Sequence, residues 1–184
     1  MAERSVGLII FTEIPDIGLV AVLIERGWYN FEKIGPESWS GACQVTVHGK
    51  LEEGESFLTA LRYEVEEELG SRFFNRLWDR REEMVEVFHL LTENKEVVTF
   101  AIKIDFNMFN LIRLHASSGA IRFLRPCEIS FVHDLTDYQK KGGVLDRSVI
   151  AMFPDETEAV KRAFKHFLEG KLADSPQPEK EEKR

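Results

Sequence analysis

The chain has 184 residues, 43% of them hydrophobic, enough for one compact domain with its own core. Its 32 acidic against 24 basic side chains leave a formal charge of −8, which repels a polyanion at long range and excludes nucleic acid as a bulk partner. A small phosphorylated metabolite fits if divalent cations bridge the two negative partners, so the charge itself argues for metal.

The N-terminus carries no basic-then-apolar leader, and no apolar run approaches the ~20 residues needed to span a bilayer. With Cys43 and Cys127 as the only cysteines, a cytoplasmic protein with reduced thiols is expected, away from any membrane. Residues 6–11 and 19–24 are β-branched apolar runs separated by Pro15, Asp16 and Gly18, which predicts two buried strands joined by a turn. A polar loop over residues 25–41 holds Trp28, Tyr29, Phe31 and Trp39. Two fates are open to Trp28 and Tyr29: stacking on a nucleobase, or packing against the domain. A short strand over residues 43–47 then delivers the chain to Gly49.

From Phe57 the apolar period changes to 3.6, with Leu58, Leu61, Val65 and Leu69 forming one stripe and Gly70 standing where a helix C-terminus favours positive φ. Residues 72–78 extend or restart that helix, offering Phe73, Phe74, Leu77 and Trp78 as a second apolar face. Residues 85–92 and 97–104 flank the polar turn Glu93, Asn94, Lys95 and Glu96, a hairpin signal. No pattern settles residues 107–118. A short strand is expected over residues 128–132, after Pro126. Asp155 opens a final helix, with Glu158 three residues on as a capping box and Ala159, Val160, Ala163, Phe164, Phe167 and Leu168 as its buried face. Residues 1–172 then form one domain, and residues 173–184, rich in Pro, Glu and Lys, a disordered tail. Early strands and closing helices make a mixed sheet sandwiched by helices the natural architecture.

The chemistry lies in residues 49–71, GKLEEGESFLTALRYEVEEELGS. Glu64, Glu67 and Glu68 stand at i, i+3 and i+4, so three carboxylates share one helical face. Like charges at that spacing repel by a few tenths of a kcal/mol per pair, so the arrangement makes most sense around a divalent cation. Hard oxygen ligands select Mg²⁺, with Mn²⁺ as a substitute. Taken alone, three such glutamates would more often be a solvated acidic face.

The stretch resembles the Nudix box: Gly, five residues, Glu, seven residues, Arg-Glu, an aliphatic, any residue, Glu-Glu, any residue, Gly, an aliphatic. Gly49, Glu55, Glu64, Val65, Glu67, Glu68 and Gly70 fall in register. Tyr63 stands where the family has Arg, and Ser71 replaces the closing aliphatic. In the family that Arg helps order the box through acidic groups, and Arg62 points about 100° away around the helix. The resemblance implies an α/β/α sandwich of the Nudix type with a mixed central sheet. It implies Mg²⁺-dependent hydrolysis of a phosphoanhydride bond in a nucleoside diphosphate derivative: a nucleotide sugar, dinucleoside polyphosphate, coenzyme or nucleoside triphosphate.

Carried over residue by residue, Glu64, Glu67 and Glu68 are metal ligands, joined by the Gly49 carbonyl, while Glu55 buttresses the loop. Glu67 and Glu68 are also catalytic candidates. Glu128 is the candidate general base, in the place where some relatives carry a further acidic ligand; an exposed strand start is an equal alternative. Glu93 and Glu96 are read as a solubilising turn. His48, just before Gly49, either hydrogen-bonds a phosphate or serves the loop. Relatives often pair, so a homodimer is compatible. Because of Tyr63 a second expectation stands beside the first: a Nudix-like module that binds a nucleotide and regulates a partner without turnover. His89, His115, His133 and His166 have no zinc spacing, and no nucleophile elbow, Walker loop or Rossmann fingerprint is present.

Overall fold

The computed structural model describes residues 3–31, 33–142, 145–146 and 148–169; the tail expected over residues 173–184 lies outside them. Strand β1 (Glu3–Ile14) turns at Asp16 and Gly18, both with positive φ, into β2 (Gly18–Arg26). Both strands are buried over most of their length because they occupy the middle of a seven-stranded sheet. Two short strands, β3 (Tyr29–Asn30) and β4 (Gly35–Pro36), pair into a small arm, where the sequence had suggested only a loop. β5 (Cys43–Val45) pairs with β2, and β6 (Val47–Lys50) with β1. The chain changes partner at Thr46, whose buried hydroxyl accepts from the Ile10 amide at 2.8 Å and donates to the Val22 carbonyl.

Helix α1 (Phe57–Leu69) begins where Ser56 accepts from the Thr59 amide, and ends at Gly70, whose φ of 85° only glycine adopts without strain. α2 (Ser71–Trp78) follows at once, and Phe73, Phe74 and Leu77 are buried. β7 (Val85–Leu91) and β8 (Lys95–Ile104) form the expected hairpin, and β8 lies parallel to β1 over ten residues, which makes the sheet mixed. β9 (Ser118–Leu124) returns antiparallel to β2. β10 (His133–Asp134), α3 (Leu135–Tyr138) and β11 (Ala151–Met152) lead to α4 (Pro154–Glu169).

The sheet separates two apolar layers. On one face Val6, Leu8, Ile10, Val22 and Val47 meet Leu61, Val65 and Leu69 of α1 and Phe73, Phe74 and Leu77 of α2. On the other Ile9, Phe11, Ala21, Leu23 and Val45 meet Ala159, Val160, Ala163 and Phe164 of α4. The alternation of even and odd residues along β1 is the period-2 rule of a strand buried on both sides. The result is the α/β/α arrangement the sequence implies.

Four local expectations are corrected. Leu58 is 51% exposed; the stripe of α1 runs instead through half-buried Phe57, four residues before Leu61, and through Ala60. Leu168 is likewise exposed at the end of α4. Residues 128–132 are not a strand: Pro126–Phe131 is a 3₁₀ turn in which the Glu128 carboxylate accepts from the Arg125 amide at 2.8 Å. Ile129 and Val132, three residues apart, reach the core from one side of that turn. Helix α4 starts with Pro154 at its first position, so Asp155 lies inside it, and Glu158 pairs with Arg162 at 2.9 Å instead of capping. Both cysteines are free thiols, Cys43 buried and Cys127 exposed, and burial pushes the Cys43 thiol up to about 12. No helix among the described residues is long and apolar enough to cross a membrane.

Candidate active site

Three pieces of backbone meet at the C-terminal half of α1. The first is β6, which brings Gly49 so close that a Cβ there would lie 2.0 Å from the Glu64 carboxylate. A side chain at position 49 would displace the Glu64 carboxylate, so the glycine leaves that carboxylate its place beside the strand. The second is the segment after the long 3₁₀ turn at Phe106–Leu111: the Arg113 amide donates to the Leu69 carbonyl at 2.9 Å and the His115 amide to the Glu68 carbonyl at 3.1 Å. These bonds satisfy carbonyls at the end of α1 that have no partner within the helix, and carry His115, Ser117 and Ser118 to its side. The third is the end of β2 with the β3–β4 arm, held against the same segment by the Gly27 amide donating to the Ser117 carbonyl at 2.9 Å.

Between them lies a cleft of about 560 Å³ lined by Glu64, Glu67, Glu68, His48 and Gly49 together with Arg26, Asn30, Lys33, Glu37, His115 and Ser117. Glu67 is exposed, while Glu64 and Glu68 are half-buried. Burial pushes the Glu68 carboxyl up to about 8, the charge of Glu64 adding to it, while the His48 backbone amide and Arg26 act the other way. Its Oε2 is buried and has no hydrogen-bond partner among the described residues. Burial holds the His48 imidazole down at about 4, helped by Arg26 and Lys95, so it is neutral at neutral pH. In the same cleft Glu37 accepts from Arg26 at 2.9 Å, from Asn30 at 3.1 Å and from the Ser38 amide at 2.9 Å. Burial alone would raise its carboxyl, and these contacts outweigh it, leaving the group below the usual carboxylate range.

The donor set fits a hard divalent cation: three carboxylates of one helical face, the carbonyl-bearing strand at Gly49, and a buried carboxylate oxygen lacking a proton donor. Among the described residues no three His, Cys, Asp or Glu groups converge on one point.

Most of the expected residues meet here: Gly49, Glu64, Glu67, Glu68 and His48 share the cleft. Trp28 and Tyr29 precede Asn30 on the arm and are 53% and 41% exposed, but are not among the lining residues. Glu128 is not brought to the cleft. It lines a separate depression with Phe131, His133 and Ile150, and its carboxylate is paired with Arg125 at 2.7 Å, which holds it below its ordinary range. Tyr63 is 58% exposed, and Arg62 lies 5.9 Å over the Phe74 ring, so neither enters the cleft. Glu55 accepts from the Glu52 amide within its own loop at 3.0 Å. Sequence reasoning missed Arg26, Asn30, Lys33, Glu37 and the segment at residues 115–118, whose only signal was polarity in stretches without periodicity.

A model of the NUDIX domain matches residues 1–153. No curated protein matches the chain in sequence. Among solved structures, the NUDIX domain of Shewanella oneidensis NrtR complexed with ADP ribose is similar with a TM-score of 0.56 at 11% identity, covering 91% of this chain and 89% of that one. A MutT/nudix family protein from Listeria innocua gives 0.55 at 16% identity over 91% and 95%. A C. elegans Ap4A hydrolase binary complex gives 0.52 at 14% identity over 92% and 99%. At these identities the likeness is one of fold.

Proposed function

Since the chain belongs to the NUDIX family, we propose that it is a Mg²⁺-dependent pyrophosphohydrolase that cleaves a phosphoanhydride bond in a nucleoside diphosphate derivative. The observation that carries this reading is the gathering of Glu64, Glu67 and Glu68 with Gly49 along one cleft, with the Glu68 Oε2 buried and unpartnered. Members of this family in general use divalent cations, and when bound such ions neutralise charge on the bridging and leaving oxygens of the diphosphate. Mn²⁺ replaces Mg²⁺ in the same donor set.

In this reading Glu64, Glu67, Glu68 and the Gly49 carbonyl hold the cations, and their negative charge is what draws them to the cleft. Glu67, the exposed carboxylate of the three, is the one placed to accept a proton from the attacking water and pass it to solvent. His48, neutral at neutral pH, donates a hydrogen bond to a phosphate oxygen without adding charge. Arg26 and Lys33, which line the same cleft, offset the charge of the diphosphate. Trp28 and Tyr29 supply aromatic surface for the nucleoside.

The test is a panel of ADP-ribose, a dinucleoside tetraphosphate, nucleotide sugars and nucleoside triphosphates, each with Mg²⁺ or Mn²⁺, with products followed by phosphorus NMR. Turnover into two phosphate-bearing products, or into a nucleoside monophosphate and pyrophosphate, with loss of the activity in Glu67→Gln, is expected. Tight nucleotide binding with no product under any condition would favour a regulatory binding module instead.

A further inference from the structure

We propose that Arg4 is a positioning residue for the carboxylate face: it clamps both ends of the loop that joins Gly49 to α1, and so sets how strand and helix meet around the cations. The inference rests on the reading that the acidic face of α1 holds cations, and adds to it what keeps that face in register with β6.

The register matters because the approach is close. A Cβ at position 49 would meet the Glu64 carboxylate, and strand and helix are joined only through Lys50 and the loop at residues 51–56. A shift of that loop moves the Gly49 carbonyl relative to the carboxylates. The loop has little to hold it from within. Glu52, Glu53, Gly54 and Ser56 are exposed, and its own bonds are local: the Glu52 amide to the Glu55 carboxylate, the Glu55 amide to the Glu52 carbonyl, and the Thr59 amide to the Ser56 hydroxyl. A segment with so few buried contacts opens readily unless something outside it supplies an anchor.

Arg4 is that anchor. It lies on β1, two residues before Val6, the strand partner of Gly49. Its carbonyl accepts from the Leu51 amide at 3.0 Å, where the loop begins. Its guanidinium donates to the Glu55 carbonyl at 3.2 Å, where the loop ends, and lies 4.7 Å over the ring of Phe57, the first residue of α1. The guanidinium is itself aimed by Glu96, its neighbour across the β1–β8 pairing, which accepts from Nε at 2.9 Å. His89 adds a contact to the other Glu96 oxygen, with Nε2 at 3.3 Å. A planar fork can bond along its edge and stack with its face at once, which a lysine ammonium cannot. Arg62, on α1 itself, is turned to Phe74.

Charge alone predicts the opposite effect of removing Arg4. A fixed positive group repels an incoming cation, so without it Mn²⁺ binding would be unchanged or tighter. A positioning role predicts weaker binding.

The experiment titrates Mn²⁺ alone into wild type, Arg4→Ala, Arg4→Lys and Arg80→Ala, read by electron paramagnetic resonance, with amide hydrogen exchange over residues 50–57 in the same proteins. Arg80 is the control, a surface arginine bonded to Glu83 and to the Lys103 carbonyl, neither of which belongs to the loop. Both Arg4 variants should bind Mn²⁺ about tenfold more weakly and exchange the loop amides faster, while Arg80→Ala behaves as wild type. Arg4→Lys carries the test if circular dichroism shows Arg4→Ala unfolded. Mn²⁺ binding that is unchanged or tighter in the Arg4 variants, or weakened as much in Arg80→Ala, would overturn the inference while leaving the cation reading in place. A wild type that binds no Mn²⁺ would overturn both.

Discussion

Glu68 on α1 and Glu156 on α4 share one predicament and differ in what surrounds it. Each carboxyl is pushed well above the ordinary range by burial, to about 8 and about 7, and each has a buried Oε2 without a hydrogen-bond partner among the described residues. Glu68 opens on the cleft beside two other carboxylates. Glu156 packs on the opposite face of the sheet, its Oε1 accepting from the Val45 amide at 3.4 Å, and does not line the cleft. A buried carboxylate has two ways out of its desolvation cost, taking a proton or taking a cation. Only the one on a cleft has room for the second, and that contrast, more than the high pKa itself, marks the functional residue.

The comparison breaks first on catalysis. Glu68→Gln and Glu67→Gln should each cost on the order of 10²- to 10⁴-fold in kcat with Mg²⁺, whereas Glu156→Gln should leave turnover within about threefold of wild type; equal losses at both sites would erase the distinction. Ligand-linked stability gives the next largest effect. Mg²⁺ with ADP, at about a hundred times their apparent Kd, should raise the Tm of the wild type and of Glu156→Gln by roughly 5 to 10 °C. Glu68→Gln should show little of that rise in the same thermal scan.

The third test sharpens the Glu156 side. Its folded-state pKa of about 7 lies above the ordinary 4.5, so the folded chain holds a proton there that the unfolded chain has lost across that window. Stability contributed by this group therefore falls as pH rises from 4.5 to 7 and stays low above it. Glu156→Gln keeps the acceptor for the Val45 amide and removes the ionisation, so its Tm advantage should grow from pH 5 to pH 8, by on the order of 5 °C. A Tm difference independent of pH would show that Glu156 does not carry this cost. The smallest effect belongs to Glu128→Ala: paired with Arg125 outside the cleft, it should change kcat/KM by less than about twofold and stability by under about 1 kcal/mol, read by steady-state kinetics and denaturant melts.

These residues also show how far the sequence could be read. The carboxylate face of α1 and its Gly70 stop were legible because helical periodicity and a glycine at a positive-φ position are local facts. The alternating burial of β1 and β2 was legible for the same reason. Glu128 was misplaced because Pro126 and the local Arg125 contacts turned a short apolar run into a 3₁₀ segment, which an apolar pattern of five residues cannot distinguish from a strand. Arg26, Glu37 and His115 were invisible because their roles come from distant pairings: Arg26 opposite Ser118 across β2 and β9, and His115 on the end carbonyls of α1. Glu156 looked like an ordinary residue in the first turn of a helix, since nothing local announces that Val45 closes over it.

The most direct measurement is the number of Mn²⁺ ions bound per chain, followed by electron paramagnetic resonance at neutral pH for the wild type, Glu68→Gln and Glu156→Gln. Binding by the wild type and by Glu156→Gln, with affinity lowered at least about tenfold in Glu68→Gln, is the expected result. Identical isotherms for all three proteins would contradict the claim that the acidic face of α1 holds cations.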